Sequence, residues 1–220
     1  INLFLPFLMR LYKSQALKLI QLLNQSIKNP ETSLKYRNKF TLLTSVLLSA
    51  QCTDKNVNNV TKNIYKKYYT PKHFAELGIS KIRKMIKSIG LFNMKAKNLY
   101  NLSKILIEKY QSKVPDNFDS LLSLPGVGRK TANVVLNAAF NKPTIAVDTH
   151  VFRVSNRTGL TKGKNPNQVE EQLLKILPNK YLKKAHHLIL LHGRYTCKSR
   201  NPLCAKCIIS KICLYKNKNV

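Results

Sequence analysis

The sequence predicts an all-α protein, on three observations. Apolar residues recur three or four positions apart along nearly the whole chain, which is the period of a helix. Turn signals rich in proline, asparagine and glycine divide this pattern into segments of helical length. Alternating apolar and polar residues, which are typical of half-buried strands, are nearly absent, and no internal repeat is visible.

The predicted helices are justified in chain order by their apolar stripes. A first stripe runs from Leu11 to Leu23, and a second runs from Phe40 to Leu47. Further helical runs lie near residues 56–68, 80–88, 95–111, 129–140, 149–158, 167–177 and 181–192. The turn signals between the runs are Asn29-Pro30, Thr70-Pro71, Val114-Pro115-Asp116, Pro125-Gly126, Lys142-Pro143, Asn165-Pro166 and Pro178-Asn179.

Length and charge narrow the class of protein. The 220 residues make one large domain or two small ones, and a hydrophobic content of 44% excludes a generally disordered chain. The chain carries 39 Lys and Arg against 9 Asp and Glu, a formal charge of +30. Such a chain repels itself unless it lies near a polyanion, which favours a nucleic-acid-binding protein. Biased codon usage is the alternative, because 31 of the basic residues are Lys and Asn is also abundant.

The sequence offers no membrane or secretion signal. No stretch approaches the roughly 18 consecutive apolar residues of a membrane span. The apolar opening from Ile1 to Met9 is short, with no basic region before it and no clear cleavage site after it. We therefore expect a cytosolic protein with no membrane partner. In a reducing compartment, metal ligation is a better interpretation of the five cysteines than disulfides.

A glycine-rich loop lies between two helical runs, in the segment Leu-Pro-Gly-Val-Gly-Arg-Lys-Thr-Ala at residues 124–132. Its two glycines allow a tight turn that aims successive N–H groups outward. The helix that starts near Arg129 adds unpaired amides and the positive end of its dipole. An ordinary helix–helix turn would explain the glycines alone, but the flanking residues and the basic chain favour a site for a nucleic-acid phosphate. The standard nucleotide-binding fingerprints are missing, and no strand precedes the loop.

Lys130, in this loop, has two interpretations. It can contact a phosphate, which any lysine in so basic a chain can do. It can also serve as an amine nucleophile, because a helix N-terminus and neighbouring cations both favour the uncharged amine. An uncharged amine attacks an electrophilic sugar carbon and forms a Schiff base. The spacing of the residues leaves both roles open.

Asp148 is one of the few acids, and it also has two interpretations. Because it stands immediately before a helical run, it is a good helix N-cap. It also follows four mostly apolar residues in a chain poor in acids. A carboxylate there can stabilise positive charge that develops on a sugar ring, or assist proton transfer.

Four of the five cysteines form an array near the end of the chain. Cys197, Cys204, Cys207 and Cys213 have the spacing C-x6-C-x2-C-x5-C. Zinc takes four thiolates, and so does an iron–sulfur cube; only one C-x2-C pair is present, which favours the cube. The spacers carry basic residues, so the metal can shape a loop that grips phosphate through residues such as Lys198 and Arg200.

Several segments together resemble a known family. They are Leu47-Leu48-Ser49-Ala50-Gln51, Ile89-Gly90-Leu91, residues 124–133, residues 146–153, and His192-Gly193-Arg194 before the cysteine array. From about Phe40 to Tyr215 the chain is similar to the endonuclease III family, bacterial DNA glycosylases and abasic-site lyases of the helix-hairpin-helix glycosylase superfamily. Leu122 and Cys52 depart from the usual pattern of that family. Neither departure touches Lys130 or Asp148.

The resemblance implies a role for each singled-out residue. Lys130 would be the catalytic amine and Asp148 the catalytic carboxylate. Gln51 and Leu91 would fill the gap in the opened duplex. The remaining implied contacts are a phosphate-binding hairpin of Leu124, Gly126, Val127, Gly128 and Arg129, and a [4Fe-4S] cluster on Cys197, Cys204, Cys207 and Cys213.

The resemblance also implies architecture and function. We expect a six-helix lobe at 32–142, a cluster lobe made of 1–31 with 143–220, and a DNA cleft between them. The implied activity is removal of oxidised pyrimidines from double-stranded DNA, followed by β-elimination at the abasic site. We expect a monomer in the bacterial cytoplasm, associated with the nucleoid. The alternatives are a monofunctional adenine-mismatch glycosylase, which usually lacks the lysine, and a non-catalytic DNA-binding module.

Overall fold

A computed structural model describes residues 10–28 and 30–219. Within these ranges the backbone forms ten α-helices and one short 3₁₀ helix, and it forms no strand. The prediction of an all-α protein is therefore confirmed. The opening from Ile1 to Met9 lies outside the described residues, as does Asn29 of the first predicted turn.

The helix bounds agree with most of the predicted runs. In chain order the helices are α1 (Lys13–Ser26), α2 (Lys39–Leu48), α3 (Asp54–Lys67), α4 (Pro71–Met85), α5 (Phe92–Tyr110), α6 (Phe118–Leu122), α7 (Arg129–Phe140), α8 (Thr149–Thr158), α9 (Pro166–Ile176), α10 (Asn179–Tyr195) and the 3₁₀ helix (Cys204–Lys206). The bounds of α7 and α8 coincide with those predicted. Side-chain caps set several starts, since the residue before the helix accepts a hydrogen bond from a first-turn amide. These caps are Asn38, Thr53, Thr70, Asn117, Asp148 and Asn165.

Two helices differ from the prediction. Helix α4 begins at Pro71, well before the run predicted near residue 80. Gly78 interrupts it with a φ of 68°, so the apolar period restarts after the glycine and only the second half shows a clear stripe. Helix α6 is only 5 residues long, which is too short to display a period.

The segment Thr32–Lys142 forms one compact unit, which we call the hairpin unit. It contains α2 to α7. Helix α2 is buried along nearly its whole length and contacts α3, α5 and α7, while α4 packs along α5. The apolar core therefore lies around α2, and α6 and α7 pack together beside it.

The segments Ile1–Glu31 and Pro143–Val220 form the second compact unit, which we call the cysteine unit. Its core lies between α10 and its two partners α1 and α8, with α9 against α8. Gly159 ends α8 with a φ of 85°, and a Cβ there would lie 2.5 Å from Leu214 Cδ1. The chain after the cysteines therefore packs directly on the end of α8. No helix in the described ranges is both long and apolar enough to cross a membrane.

Candidate active site and cysteine centre

The glycine-rich loop joins α6 to α7 and completes a helix-hairpin-helix. Gly126 has a φ of 78°, and a Cβ on it would lie 2.6 Å from Asn98 Nδ2 on α5. A side chain there would be strained and crowded, so this glycine lets the loop pack closely. A Cβ on Gly128, in contrast, would meet no atom within 4 Å. Gly128 is therefore the point at which an outside group can approach the hairpin backbone.

The start of α7 has the properties of an anion site. Gly128 is its N-cap and contributes no side-chain acceptor. First-turn amides have no partner inside their own helix, and the helix dipole places partial positive charge there. A phosphate is a suitable occupant of such a terminus.

The N–H groups of Leu124 and Val127 both donate within the hairpin. The N–H of Val127 donates to the Leu124 carbonyl at 3.0 Å, and the N–H of Leu124 donates to the Leu121 carbonyl at 3.1 Å. Both side chains are buried in the core. These bonds show that Leu124 and Val127 shape the loop. Gly126, Gly128 and the first turn of α7 are the other candidate phosphate donors.

Lys130 lies in this first turn, with its side chain exposed. The neighbouring Arg129 places its guanidinium 5.1 Å from the ring centroid of Phe118 on α6. This cation–π contact ties the two helices of the hairpin together. Successive residues of a helix are rotated by about 100°, so Lys130 projects in another direction from Arg129. The fold thus presents an exposed primary amine at the N-terminal end of α7.

Asp148 is the N-cap of α8, and its Oδ1 accepts the Val151 N–H at 2.8 Å. The structural role predicted for it is therefore present. An N-cap bond uses only part of the acceptor capacity of a carboxylate, so a second role is compatible with the cap. The chain leading into the cap is buried from Ile145 to Val147. His186 supports it, since its Nδ1 donates to the Ala146 carbonyl at 2.8 Å.

His187 of α10 lies near this cap. Burial, and then the neighbouring His186, lower the pKa of His187 to about 4, while the Asp148 carboxylate opposes the shift. A folded pKa below the usual 6.5 means that the unfolded chain binds more protons between pH 6.5 and 4. Stability is therefore lost as the pH falls through this interval.

We expect the substitution His187→Gln to flatten this acid dependence. The shift corresponds to a loss of about 2 kcal/mol of unfolding free energy in the wild type between pH 7.5 and pH 5. Urea unfolding of both proteins at the two pH values measures it. Equal losses in wild type and variant would contradict the assignment to His187, whereas other acid effects are shared by the two proteins and cancel in the difference.

Two arginines of α8 hold the loop that begins the cysteine array. Arg153 donates to the Gly193 carbonyl at 2.8 Å and to the Cys197 carbonyl at 3.1 Å. Arg157 donates to the carbonyls of Lys198 and Ser199 at 2.6 and 2.8 Å. These bonds hold the first residues of the loop, 197–199, while the side chains of Lys198 and Arg200 are exposed. Neither arginine could be assigned a role from the sequence, because their partners lie about 40 residues away along the chain.

The four clustered cysteines line one cavity in the cysteine unit. Burial raises the pKa of the Cys207 and Cys213 thiols, and the neighbouring cysteines raise it further. His192 is buried beside them, with its Nε2 3.7 Å from Cys207 Sγ. In the described part of the chain, however, no three His, Cys, Asp or Glu side chains converge closely enough to share one metal ion. Thiolates are ligands both of zinc and of iron–sulfur clusters, and the four cysteines supply four of them around one cavity.

Gln51 and Leu91 both have left-handed backbone conformations, with φ of 53° and 60°. Such conformations cost non-glycine residues about 1 kcal/mol or more and concentrate at functional sites. Gln51 lies in the turn between α2 and α3, and Leu91 directly precedes α5. Both side chains are exposed, Leu91 to 48% of its surface. The two turns also touch, because a Cβ on Gly90 would lie 3.5 Å from the Gln51 carbonyl oxygen.

Lys95 is a residue that the sequence did not single out. Its side chain is 2% exposed, and its Nζ donates to the carbonyls of Leu48 and Ala50 at 2.9 and 2.6 Å. Burial lowers the pKa of Lys95, and the nearby Cys52 opposes this shift. No pattern could have identified it, since it is one lysine among 31 and only the fold buries it.

Comparison with known proteins identifies the relatives of this chain. The model of the "HhH-GPD superfamily base excision DNA repair protein" family matches residues 44–179. Endonuclease III of Rickettsia conorii is 55% identical over 198 residues, covering 90% of this chain and 94% of that protein. Endonuclease III of Escherichia coli K12 is 49% identical over 206 residues, covering 94% and 98%.

Solved structures agree with these relatives. The trapped covalent intermediate of endonuclease III with DNA, an estranged-adenine complex, matches with a TM-score of 0.87 and 42% identity, over 93% of this chain and 96% of that chain. A thermostable thymine-DNA glycosylase matches with a TM-score of 0.79 and 27% identity, over 92% and 95%. The chain therefore belongs to the helix-hairpin-helix superfamily of base excision DNA repair proteins and, within it, to the endonuclease III family.

Proposed function

We propose that this repair enzyme is a bifunctional DNA glycosylase and abasic-site lyase in which Lys130 is the nucleophile and Asp148 the catalytic carboxylate. The observation that carries the assignment is the position of Lys130, an exposed amine in the first turn of α7 beside the hairpin. A phosphate held at this helix terminus would bring the adjoining sugar within reach of the amine. The substrate is double-stranded DNA that contains an oxidised pyrimidine or an abasic site.

The proposed chemistry proceeds in two stages. The neutral amine of Lys130 attacks C1′ of the damaged nucleotide, and the C1′–N bond breaks as the base leaves with a proton. The sugar ring then opens: the C1′–O4′ bond breaks, O4′ takes a proton, and C1′ forms an imine with the lysine nitrogen. The imine acidifies C2′, so that loss of a C2′ proton expels the 3′ phosphate by β-elimination. Water then releases the lysine. Asp148 stabilises the positive charge that develops on the sugar, or takes part in the proton transfers.

The other predicted contacts have supporting roles in this proposal. Gly126, Gly128 and Arg129 hold the DNA backbone at the hairpin. Lys198 and Arg200 lie in the loop that Arg153 and Arg157 hold by hydrogen bonds to its backbone. Their exposed side chains add a second basic contact to the DNA. Flipping the damaged nucleotide costs a few kcal/mol, and it is cheapest for a base that already pairs poorly.

Gln51 and Leu91 would enter the duplex as the damaged nucleotide leaves the stack. An apolar wedge of this kind offsets part of the unstacking energy. The hairpin unit would then carry Lys130, the hairpin and the wedge, and the cysteine unit would carry Asp148 and the basic loop. We propose a monomeric enzyme that works at the bacterial chromosome in the cytoplasm.

We also propose that Cys197, Cys204, Cys207 and Cys213 hold a [4Fe-4S] cluster, the group that the family resemblance implies. The common cavity lined by the four thiols supports this donor set. When bound, the cluster supplies a rigid cross-link within the loop and takes no part in the bond cleavage. The thiol protons leave when iron binds, so loading should become more favourable as the pH rises.

We expect the substitution Cys204→Ser to remove the cluster and to weaken DNA binding together. The loop that carries Lys198 and Arg200 would lose its cross-link, and a protein that no longer holds two phosphates binds DNA about tenfold or more weakly at moderate salt. Iron content, visible absorbance and a binding titration measure the effect. The matched control is Cys52→Ser in the hairpin unit, which should keep its iron. Full DNA affinity in an iron-free Cys204→Ser protein would contradict the structural role.

The activity is tested by borohydride trapping on a duplex with one abasic site. A reduced covalent adduct between the wild-type protein and the DNA is the expected result, together with a β-elimination product. A folded, iron-loaded wild type that forms no adduct would contradict the lyase step. It would leave a monofunctional glycosylase or a DNA-binding module.

A further inference from the structure

We infer that Lys95 is a positioning residue that holds the Gln51 turn and the Leu91 turn together as one rigid inserting element. The inference rests on the proposed function, because it takes Gln51 and Leu91 as the side chains that enter the duplex. Lys95 itself lies beneath the surface and would touch no DNA.

The first support is the place where the Lys95 ammonium ends. It binds the carbonyls of Leu48, the last residue of α2, and of Ala50, which directly precedes Gln51. Carbonyls at the end of a helix lack partners within the helix and carry the negative end of the dipole. A cation is therefore stabilised at this point, and it fixes the backbone immediately before Gln51.

The second support is where Lys95 originates. Its own N–H donates to the Leu91 carbonyl at 3.0 Å, as the first hydrogen bond of α5. A single residue thus binds the Leu91 turn through its backbone and the Gln51 turn through its side chain. A glycine after α2 could satisfy the carbonyls of that helix without burying a charge. It could not make the connection to α5.

A second tie joins the same two turns. The side-chain amide of Asn56 on α3 donates to the Ser88 carbonyl at 3.0 Å and lies 3.3 Å from Cys52 Sγ. Cys52 directly follows Gln51, and Ser88 precedes the Leu91 turn. Lys95 and Asn56 therefore bridge the two turns at separate points.

The connection between the Gln51 turn and the Leu91 turn would help the protein to open the duplex. Gln51 and Leu91 are both held in strained left-handed conformations, which persist only where surrounding contacts enforce them. Two inserted side chains hold a base pair open only if they keep their spacing while the stack resists them. A pair ordered in advance avoids the entropic cost of ordering it on the DNA. Lys95 would therefore assist duplex opening while leaving the chemical steps alone.

The test compares Lys95→Met with wild type on two substrates. One is a duplex that contains thymine glycol opposite adenine, and the other carries the same lesion in an unpaired bubble, where the opening work is already done. In single-turnover assays we expect the substitution to slow cleavage of the paired lesion at least tenfold, and cleavage in the bubble less than threefold. Lys104→Met, which changes an exposed lysine of the same helix, should leave both rates within twofold.

A double-mutant cycle separates positioning from general destabilisation. In a Gln51→Ala, Leu91→Ala background, Lys95→Met should slow cleavage of the paired lesion by less than twofold, because the side chains that it positions are gone. The inference would be overturned if Lys95→Met slowed cleavage of both substrates equally. It would also be overturned if the substitution slowed cleavage of the paired lesion as much in this background as in the wild type. If Lys95→Met does not fold, Asn56→Ala removes the second connection between the two turns. It should also slow cleavage of the paired lesion more than cleavage of the bubble lesion, but by a smaller factor than Lys95→Met. In that case, an Asn56→Ala protein that cleaves the paired lesion and the bubble lesion equally slowly would overturn the inference.

Failure of the proposed function gives a different result. In that case the wild-type protein itself forms no borohydride adduct with either substrate. Failure of the Lys95 inference instead leaves wild-type trapping intact and removes only the difference between the paired and the bubble substrates.

Discussion

The substitution Lys130→Ala is expected to abolish strand cleavage and borohydride trapping, with rates lowered by about a thousandfold or more. Removal of a covalent nucleophile eliminates the reaction path that it opens, and the remaining binding contacts do not replace it. DNA affinity should stay within a few-fold of wild type, because one lysine is removed among many phosphate contacts on a chain of net charge +30. Trapping gels and a binding titration on the same abasic duplex measure both quantities.

Two further variants make this test specific. Lys130→Arg keeps the positive charge at the start of α7 but removes the primary amine, since a guanidinium stays protonated and forms no Schiff base under these conditions. It should bind DNA as wild type does and give no adduct. Lys113→Ala, at an exposed position of the same unit, should trap normally. An adduct with both Lys130 variants would keep the lyase activity and move the nucleophile to another amine.

The substitution Asp148→Asn is expected to lower the rate of base release by about a hundredfold or more without lowering stability. The structure explains why the two effects separate. Asp148 caps α8 through one oxygen, and asparagine is an equally good N-cap, so the bond to the Val151 N–H is kept. Only the negative charge is lost, and loss of one preorganised electrostatic group typically costs a factor of about 100 to 1,000 in rate. Thermal unfolding and single-turnover glycosylase assays measure the two effects.

A second cap in the same unit serves as the control for this prediction. Asn165 caps α9 and accepts the Gln168 N–H at 3.0 Å. Asn165→Ala should lower stability by about 1 kcal/mol, or a few degrees in the unfolding midpoint, and leave the rate unchanged. If Asp148→Asn is fully active, Asp148 is only a cap, and another group must stabilise the charge on the sugar.

Most of the helices of this fold could be predicted from local sequence patterns. The apolar period located eight of the ten α-helices of the described chain within a few residues, because each of them buries one continuous stripe. The exceptions have physical reasons. Gly78 breaks the period of α4, and α6 is too short to show one. Short helices are stabilised by their tertiary partners, and here α6 packs on α7.

The sequence also revealed some features of the candidate site and left others to the structure. The glycine-rich loop, Lys130, Asp148 and the cysteine array are recognisable because their chemistry depends on residue type and spacing within one segment. The sequence could not reveal which hairpin amides donate within the loop, as those of Leu124 and Val127 do. Arg153 and Arg157 were missed for a related reason, since their partners lie about 40 residues away.

The order of residues along the chain thus decides the helices, their caps, the family and the candidate reactive side chains, because each depends on a few neighbouring positions. Folding alone decides which lysine is buried, which backbone groups remain available and which turns become neighbours. Lys95 illustrates the difference. Along the chain it is an ordinary member of an amphipathic helix, but in the fold it reaches back 45 residues to the carbonyl before Gln51. A buried ammonium is stable only where carbonyl oxygens replace water, and only the packing of α5 against α2 creates that place.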